Sequence, residues 1–408
     1  MRGDVIAAQE AKTMNIRIDG ARHSDDAERG ILAFIEESIA FRRDLHRHPE
    51  LSLKEKRTSG LVARYLLSYG YEVTEGVGGH GVVATLKRGN GDKRIGIRAD
   101  IDALPIIEET GLAYASENHG VMHACGHDGH TTILLTAARY LAEHSNFSGT
   151  LTLIFQPAEE IGAGARTMIK DGLFERFPVD AVFGLHNWPG VSAGHFGFVE
   201  GPAMASVDKA TVRIVGKGGH GAEPHQTVDP VLASAGFITS LQSIVSRNVD
   251  PRDMAVLTVG SIHGGTASNV IPESVELKLT ARAFTQSIRE TIEARLIALA
   301  KAQAESYGAR ADVDYHHGFP PVINHAPQTA FARDVAHRHF PAGQIEESFQ
   351  PRTASEDFAF MLQERPGSYL FVGNGESAPL HSPHYDFNDA IIAPAARFWV
   401  RLAEAYLS

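Results

Sequence analysis

Thr150-Leu151-Thr152-Leu153-Ile154-Phe155-Gln156-Pro157-Ala158-Glu159-Glu160 decides how this chain is read. Its first seven residues form an apolar, β-branched run of strand length, and a proline, which has no N–H to give to a sheet, stops it. Two adjacent carboxylates follow at once. Similar short runs recur at 81–88 (GVVATLKR), 94–101 (RIGIRADI), 180–186 (DAVFGLH) and 369–373 (YLFVG). Helical stretches such as 131–144 and 164–171 lie between several of them. Strands alternating with helices predict an α/β fold, a mostly parallel or mixed sheet flanked by helices. Ligands of such sheets gather beyond the carboxyl ends of the strands, and Glu159, Glu160 and His186 fall at or just past such ends.

Working outward, apolar spacing predicts helices over 31–48 and 56–69 and a closing helix over 393–407. From 208 to 317 the rhythm changes to strand 210–216, helix 228–247, strands 254–262 and 272–283, helix 286–306 and strand 310–316. That order is the split β-α-β unit of a ferredoxin-like domain. It reads as an insertion that divides the chain into a polar extension (1–29), a first catalytic part (30–206), the inserted domain (207–317) and a second catalytic part (318–408).

Lys and Arg number 38 against 49 Asp and Glu, a net charge of −11 that argues against nucleic-acid or anionic-membrane partners. One cysteine cannot form an internal disulfide. The first thirty residues hold no apolar run of signal-peptide length, so a cytoplasmic protein is expected.

That cysteine, Cys125, lies in Met122-His123-Ala124-Cys125-Gly126-His127-Asp128-Gly129-His130. A lone cysteine is ordinarily a small apolar core residue, and Cys-x-His is weak evidence by itself. The Glu159-Glu160 pair and the Leu185-His186 and Leu380-His381 steps supply further ligands. A thiolate, imidazoles and a carboxylate suit zinc or a neighbouring transition metal. Five ligands exceed one open tetrahedral site and suffice for two adjacent ions sharing a bridging group. Neighbouring side chains diverge, so Glu160 can coordinate while Glu159 faces a water as general base. In isolation the pair would read as a solvated helix start. Asp100, ending another strand, either receives the free N–H of a ligating imidazole or caps a turn. His46, His48, His123 and His130 are left out of the ligand set.

Along 31–408 the chain resembles the aminoacylase/carboxypeptidase family of dinuclear metallopeptidases, in its hippurate hydrolase, N-acyl-amino-acid amidohydrolase and auxin-conjugate hydrolase branch. The likeness is carried by Asp44-Leu45-His46 through Pro49-Glu50-Leu51, Arg98-Ala99-Asp100-Ile101-Asp102-Ala103-Leu104-Pro105 and His123 to His130. Phe155 to Glu160, Gly216-Lys217-Gly218-Gly219-His220, Ser268-Asn269-Val270-Ile271-Pro272, Ser355-Glu356-Asp357-Phe358 and Leu380-His381-Ser382-Pro383 extend it. The resemblance implies a zinc-peptidase-like catalytic domain interrupted by a lid or dimerisation domain. It implies two divalent ions per subunit, zinc or manganese, with cobalt or nickel as alternatives. Cys125 would bridge them, with Glu160 and His381 completing one site and His127 and His186 the other. Glu159 would be the base, His220 would steady the oxyanion, and Asn269 and Arg282 would hold a substrate carboxylate. It further implies hydrolysis of N-acyl or N-aroyl amino acids by a homodimer or higher homo-oligomer. The rival readings are a dipeptidase or carboxypeptidase on the same site, and a non-catalytic binding protein that keeps its metals.

Overall fold

A computed structural model of the chain describes residues 26–408. Most of the polar extension expected over 1–29 lies outside the described residues. Its last four residues do not belong to an extension: 26–32 are helical and Ala27 is fully buried.

The main strands, in chain order, are β1 (Glu72–Val77), β2 (Gly81–Arg88), β3 (Arg94–Asp100), β4 (Gly149–Gln156), β5 (Ala181–Pro189), β6 (Phe196–Gly197), β7 (Asp208–Val215), β8 (Ala255–His263), β9 (Ser274–Ala283), β10 (Arg310–His317), β11 (Ile345–Glu346) and β12 (Gly367–Gly375). The helices used below are α1 (Ile35–Arg47), α2 (Lys56–Ser68), α3 (His127–Glu143), α4 (Pro230–Ser243), α5 (Gln286–Ser306) and α6 (Ile392–Tyr406). The chain divides into two compact units. The first runs to Gly201 and resumes over Asn324–Gln350 and Phe360–Ser408; the second comprises Pro202–Ile323 and Pro351–Ala359. The short segment 351–359, expected in the catalytic part, therefore groups with the inserted domain.

The first unit holds one eight-stranded mixed sheet in the order β1-β2-β4-β3-β5-β12-β6-β11. Its centre, β4-β3-β5-β12, is parallel, and both faces of these strands are buried, as their unbroken apolar sequences require. Register decides where the chemistry falls. Asp100 pairs with Gln156, and Arg98 pairs with Gly184. The ends of β3 and β4 and the His186 step of β5 are thereby aligned at one edge of the sheet.

Helix α3 packs against α1 and α6 and begins at His127, four residues ahead of the start expected at 131. The cause is Gly126, whose left-handed backbone (φ 88°) turns the chain directly into the helix. A Cβ there would lie 2.3 Å from Asn187 Nδ2 and 2.6 Å from the Tyr385 hydroxyl. Only glycine lets the Cys125 loop close on its neighbours.

In the second unit four antiparallel strands in the order β8-β9-β7-β10 are packed by α4 and α5, the strand order of a split β-α-β fold. Alternation along β7 and β9 buries one face, where Val212, Ile214, Phe237, Leu277, Ile292 and Leu296 form the core. Among the described residues no helix is long and apolar enough to cross a membrane.

Candidate metal centre

At the aligned edge of the first sheet, side chains far apart in sequence converge. The ligating atoms of Cys125, His127 and His186 all lie within 4.8 Å of one another, and so do those of Cys125, Glu160 and His381. Cys125 belongs to both groups. Its Sγ is 3.3 Å from His186 Nε2, Glu160 Oε1 is 3.8 Å from His127 Nε2, and Glu160 Oε2 is 3.6 Å from His381 Nε2. Glu159, 5% exposed, joins His127 and Glu160 in a third such group.

The rings are aimed by what their other nitrogens bind. His127 Nδ1 donates to the Asp102 carbonyl at 3.0 Å and faces its carboxylate at 3.2 Å. His186 Nδ1 donates to the Asn187 carbonyl at 2.6 Å. Each imidazole thus commits its Nδ1 hydrogen to the main chain and turns Nε2, the atom a metal ligand would use, inward. His127 Nε2 and Glu160 Oε1 are buried without a hydrogen-bond partner. A buried ring nitrogen and a buried carboxylate oxygen facing one another at 3.8 Å are costly to keep unless a proton or a metal cation lies between them.

The electrostatics agree with that donor set. Burial, with the Asp102 and Asp100 charges adding to it and His127 opposing, pushes the Glu160 carboxyl up to about 7. Burial would make His127 less basic, and Asp100 and Cys125 more than reverse this, raising the ring well above its ordinary range. Burial also drives the Cys125 thiol up, so a thiolate here needs a positive charge beside it. The pocket is short of positive charge, and a sulfur, nitrogen and oxygen set of this kind fits divalent ions of the zinc series.

Asp100 receives an imidazole N–H, from His130 and not from a candidate ligand. Its carboxylate is occupied by Arg98 Nη1 at 2.6 Å and His130 Nδ1 at 2.7 Å. Burial opposes its ionisation, but His127, His130 and Arg98 hold its pKa well below the usual range. The free N–H of the candidate ligand His127 is received by Asp102, a residue to which the sequence alone gives no role. Asp102 also accepts from Ser52 Oγ at 2.6 Å and from the Glu160 N–H at 3.1 Å. His130, with Asp100 and His127, forms another close group. Its Nε2 accepts the Asn187 N–H at 3.0 Å, so both ring nitrogens are used. Asn187 in turn bonds the Cys125 carbonyl (2.7 Å) and the Tyr385 hydroxyl (2.7 Å). Nothing in the spacing of Asn187 or Tyr385 signals this.

His381 reaches the cluster from a left-handed backbone (φ 63°), its N–H bonded to the Ala124 carbonyl at 2.8 Å. Such a conformation costs about 1–3 kcal/mol in a residue with a Cβ, and persists where the surroundings impose it.

The remaining expected residues lie in the second unit. His220 and Asn269 are exposed neighbours on a two-stranded ribbon, where His220 pairs with Val270 and the Gly221 N–H bonds the Asn269 carbonyl at 2.8 Å. His220 Nδ1 accepts the Ala222 N–H at 3.1 Å, which leaves Nε2 as a donor. Arg282, on β9 and half-buried, bonds Thr280 Oγ1 at 2.6 Å and the Ala281 carbonyl at 3.2 Å. It has no carboxylate partner among the described residues.

Residues 96–405 match the family model described as peptidase family M20/M25/M40. The chain is 44% identical to a Campylobacter jejuni hippurate hydrolase over 366 residues, 90% of this chain and 95% of that one. It is 43% identical to a Geobacillus stearothermophilus N-acyl-L-amino acid amidohydrolase over 70% of this chain and 78% of the relative. A Bacillus subtilis crystal structure described as a dinuclear metal binding peptidase superposes with a TM-score of 0.81 at 34% identity, covering 92% of this chain and 99% of that one. The fold, the convergent donor set and these likenesses agree, and the chain belongs to peptidase family M20/M25/M40.

Proposed function

We propose that this chain is a metal-dependent amidohydrolase that cleaves the amide bond of an N-acyl or N-aroyl amino acid into a carboxylic acid and a free amino acid. The observation that carries the proposal is the sharing of Cys125 by two donor groups, one with His127 and His186, the other with Glu160 and His381. Similarity to proteins named for hippurate, N-acyl amino acid and indole-acetyl amino acid hydrolysis supports the substrate class. The reading includes two ions per chain, zinc or manganese, a homodimer, and a cytoplasmic location.

When bound, such ions polarise the scissile carbonyl and make a water acidic near neutral pH. Glu159, beside His127 and Glu160, takes a proton from the attacking water and delivers it to the departing nitrogen. His220 donates its Nε2 hydrogen to the carbonyl oxygen as it becomes an oxyanion. The guanidinium of Arg282, without a carboxylate of its own, pairs with the substrate's carboxylate, and the Asn269 amide adds a donor.

The test is a panel of benzoyl, acetyl and indole-acetyl amino acids beside dipeptides, each incubated with zinc- or manganese-loaded protein. Amine release from the acyl amino acids is the expected result. Cleavage of dipeptides alone would favour a peptidase, and no cleavage by protein that holds its ions would end the proposal. Elemental analysis reads the ion count, and light scattering reads the homodimer.

A further inference from the structure

Among the described residues three other than glycine have a left-handed backbone: Leu53 (φ 66°), Ala158 (φ 52°) and His381. The first two send their N–H groups to a single atom. Glu55 Oε1 accepts from Leu53 at 2.9 Å and from Ala158 at 2.8 Å. Glu55 is fully buried and stands just before α2, yet its side chain makes no cap to that helix. Its second oxygen is buried without a partner. A buried carboxylate that serves neither an ion pair nor a cap is costly to keep, and its one visible task is to grip two turns that side chains rarely adopt.

Ala158 joins the end of β4 to Glu159 and Glu160. Its carbonyl accepts from the Ala163 and Gly164 N–H groups at 3.2 and 3.1 Å, which closes the turn on itself. Two residues after Ala158, the Glu160 N–H is held by Asp102. The backbone on each side of Glu159 is therefore anchored to a buried carboxylate from a distant part of the chain.

Resting on the reading of Glu159 as the base, we infer that Glu55 is a positioning residue that pins Ala158 in its left-handed turn and thereby aims the Glu159 carboxylate. The interaction needs an oxygen at the right reach and does not need charge. Glu55→Gln keeps that oxygen, Glu55→Asp withdraws it by one methylene, and Glu55→Ala removes it. Misplacing a reacting group by about 1 Å costs on the order of 100-fold in rate. The expected result is a kcat at least about tenfold lower in the Asp and Ala variants, with KM and ion content unchanged, and a Gln variant within about threefold of the parent. Hydrogen–deuterium exchange of the peptide spanning 157–164, in metal-free protein, should quicken in the Asp and Ala variants and not in the Gln variant. A Glu55→Asp protein with parental kcat, a Gln variant as impaired as the Ala variant, or a loss confined to KM or ion content overturns the inference. If the parent protein cleaves no acyl amino acid while the exchange contrast holds, the functional reading fails and the pin stands; active parent protein without the contrast removes the pin alone.

Discussion

Asp102→Asn removes a charge and almost no volume, and the structure states what it must break. One oxygen of the Asp102 carboxylate receives hydrogens from Ser52 Oγ and the Glu160 N–H, and the other lies 3.2 Å from His127 Nδ1, whose hydrogen goes to the Asp102 main-chain carbonyl at 3.0 Å. Asparagine offers one oxygen and one NH2. With its NH2 toward Ser52 and Glu160, a donor faces the Glu160 N–H, and the anchor of that residue is lost. With its NH2 toward His127, a donor faces the Nδ1 hydrogen that the main-chain carbonyl still holds, and the negative charge behind the ring is gone. Leaving one buried N–H unpaired costs roughly 1–3 kcal/mol, and loss of a partner behind a metal ligand typically weakens metal binding about 10- to 100-fold. The two figures agree, since tenfold is about 1.4 kcal/mol. The assay is competition with a coloured chelator, beside the thermal melt of metal-free protein as a check on folding. A variant that folds and binds both ions as tightly as the parent would refute the assignment of Asp102 as the brace of His127 and Glu160.

Glu159→Gln should keep its full ion content and lose nearly all turnover; half the parental rate would remove Glu159 from the role of base. Cys125→Ala should lower ion content by elemental analysis, because both donor groups share that sulfur, and full occupancy would undo the bridge. At His46, burial lowers the basicity of the ring, and the 2.8 Å hydrogen bond and charge of Asp128, with a further hydrogen bond to Glu108, more than offset this, holding it at about 9. Because the folded value exceeds the ordinary 6.5, the stabilisation is fully present below about 6.5 and is lost as pH rises through about 9, a change of roughly 3 kcal/mol at most. Urea unfolding with a chelator present should therefore show the stability gap between parent and His46→Gln narrowing over that range, and a flat gap would contradict the pairing.

What could be read from sequence was whatever depends on neighbours along the chain. Strand-length apolar runs with proline or carboxylate stops, the change of rhythm after Asp208, and Cys-x-His or Glu-Glu juxtapositions are local, and they sufficed for the α/β sheet, the split β-α-β order of the second unit, and the residue types of the candidate site. Tertiary structure decided what depends on register and on loop closure. Whether Asp100 or Asp102 meets the imidazole of His127 turns on which carboxylate Arg98 and His130 have already claimed, and no spacing within 98–102 encodes that. The four-residue advance of α3 follows from a left-handed Gly126 wedged against Asn187 and Tyr385. Glu55 was invisible for the same reason: its carboxylate meets the Ala158 N–H 103 positions away. Hydrogen bonds between distant segments exist only once parallel strands have chosen their register, because that choice, and not the identity of either partner, sets the distance between them.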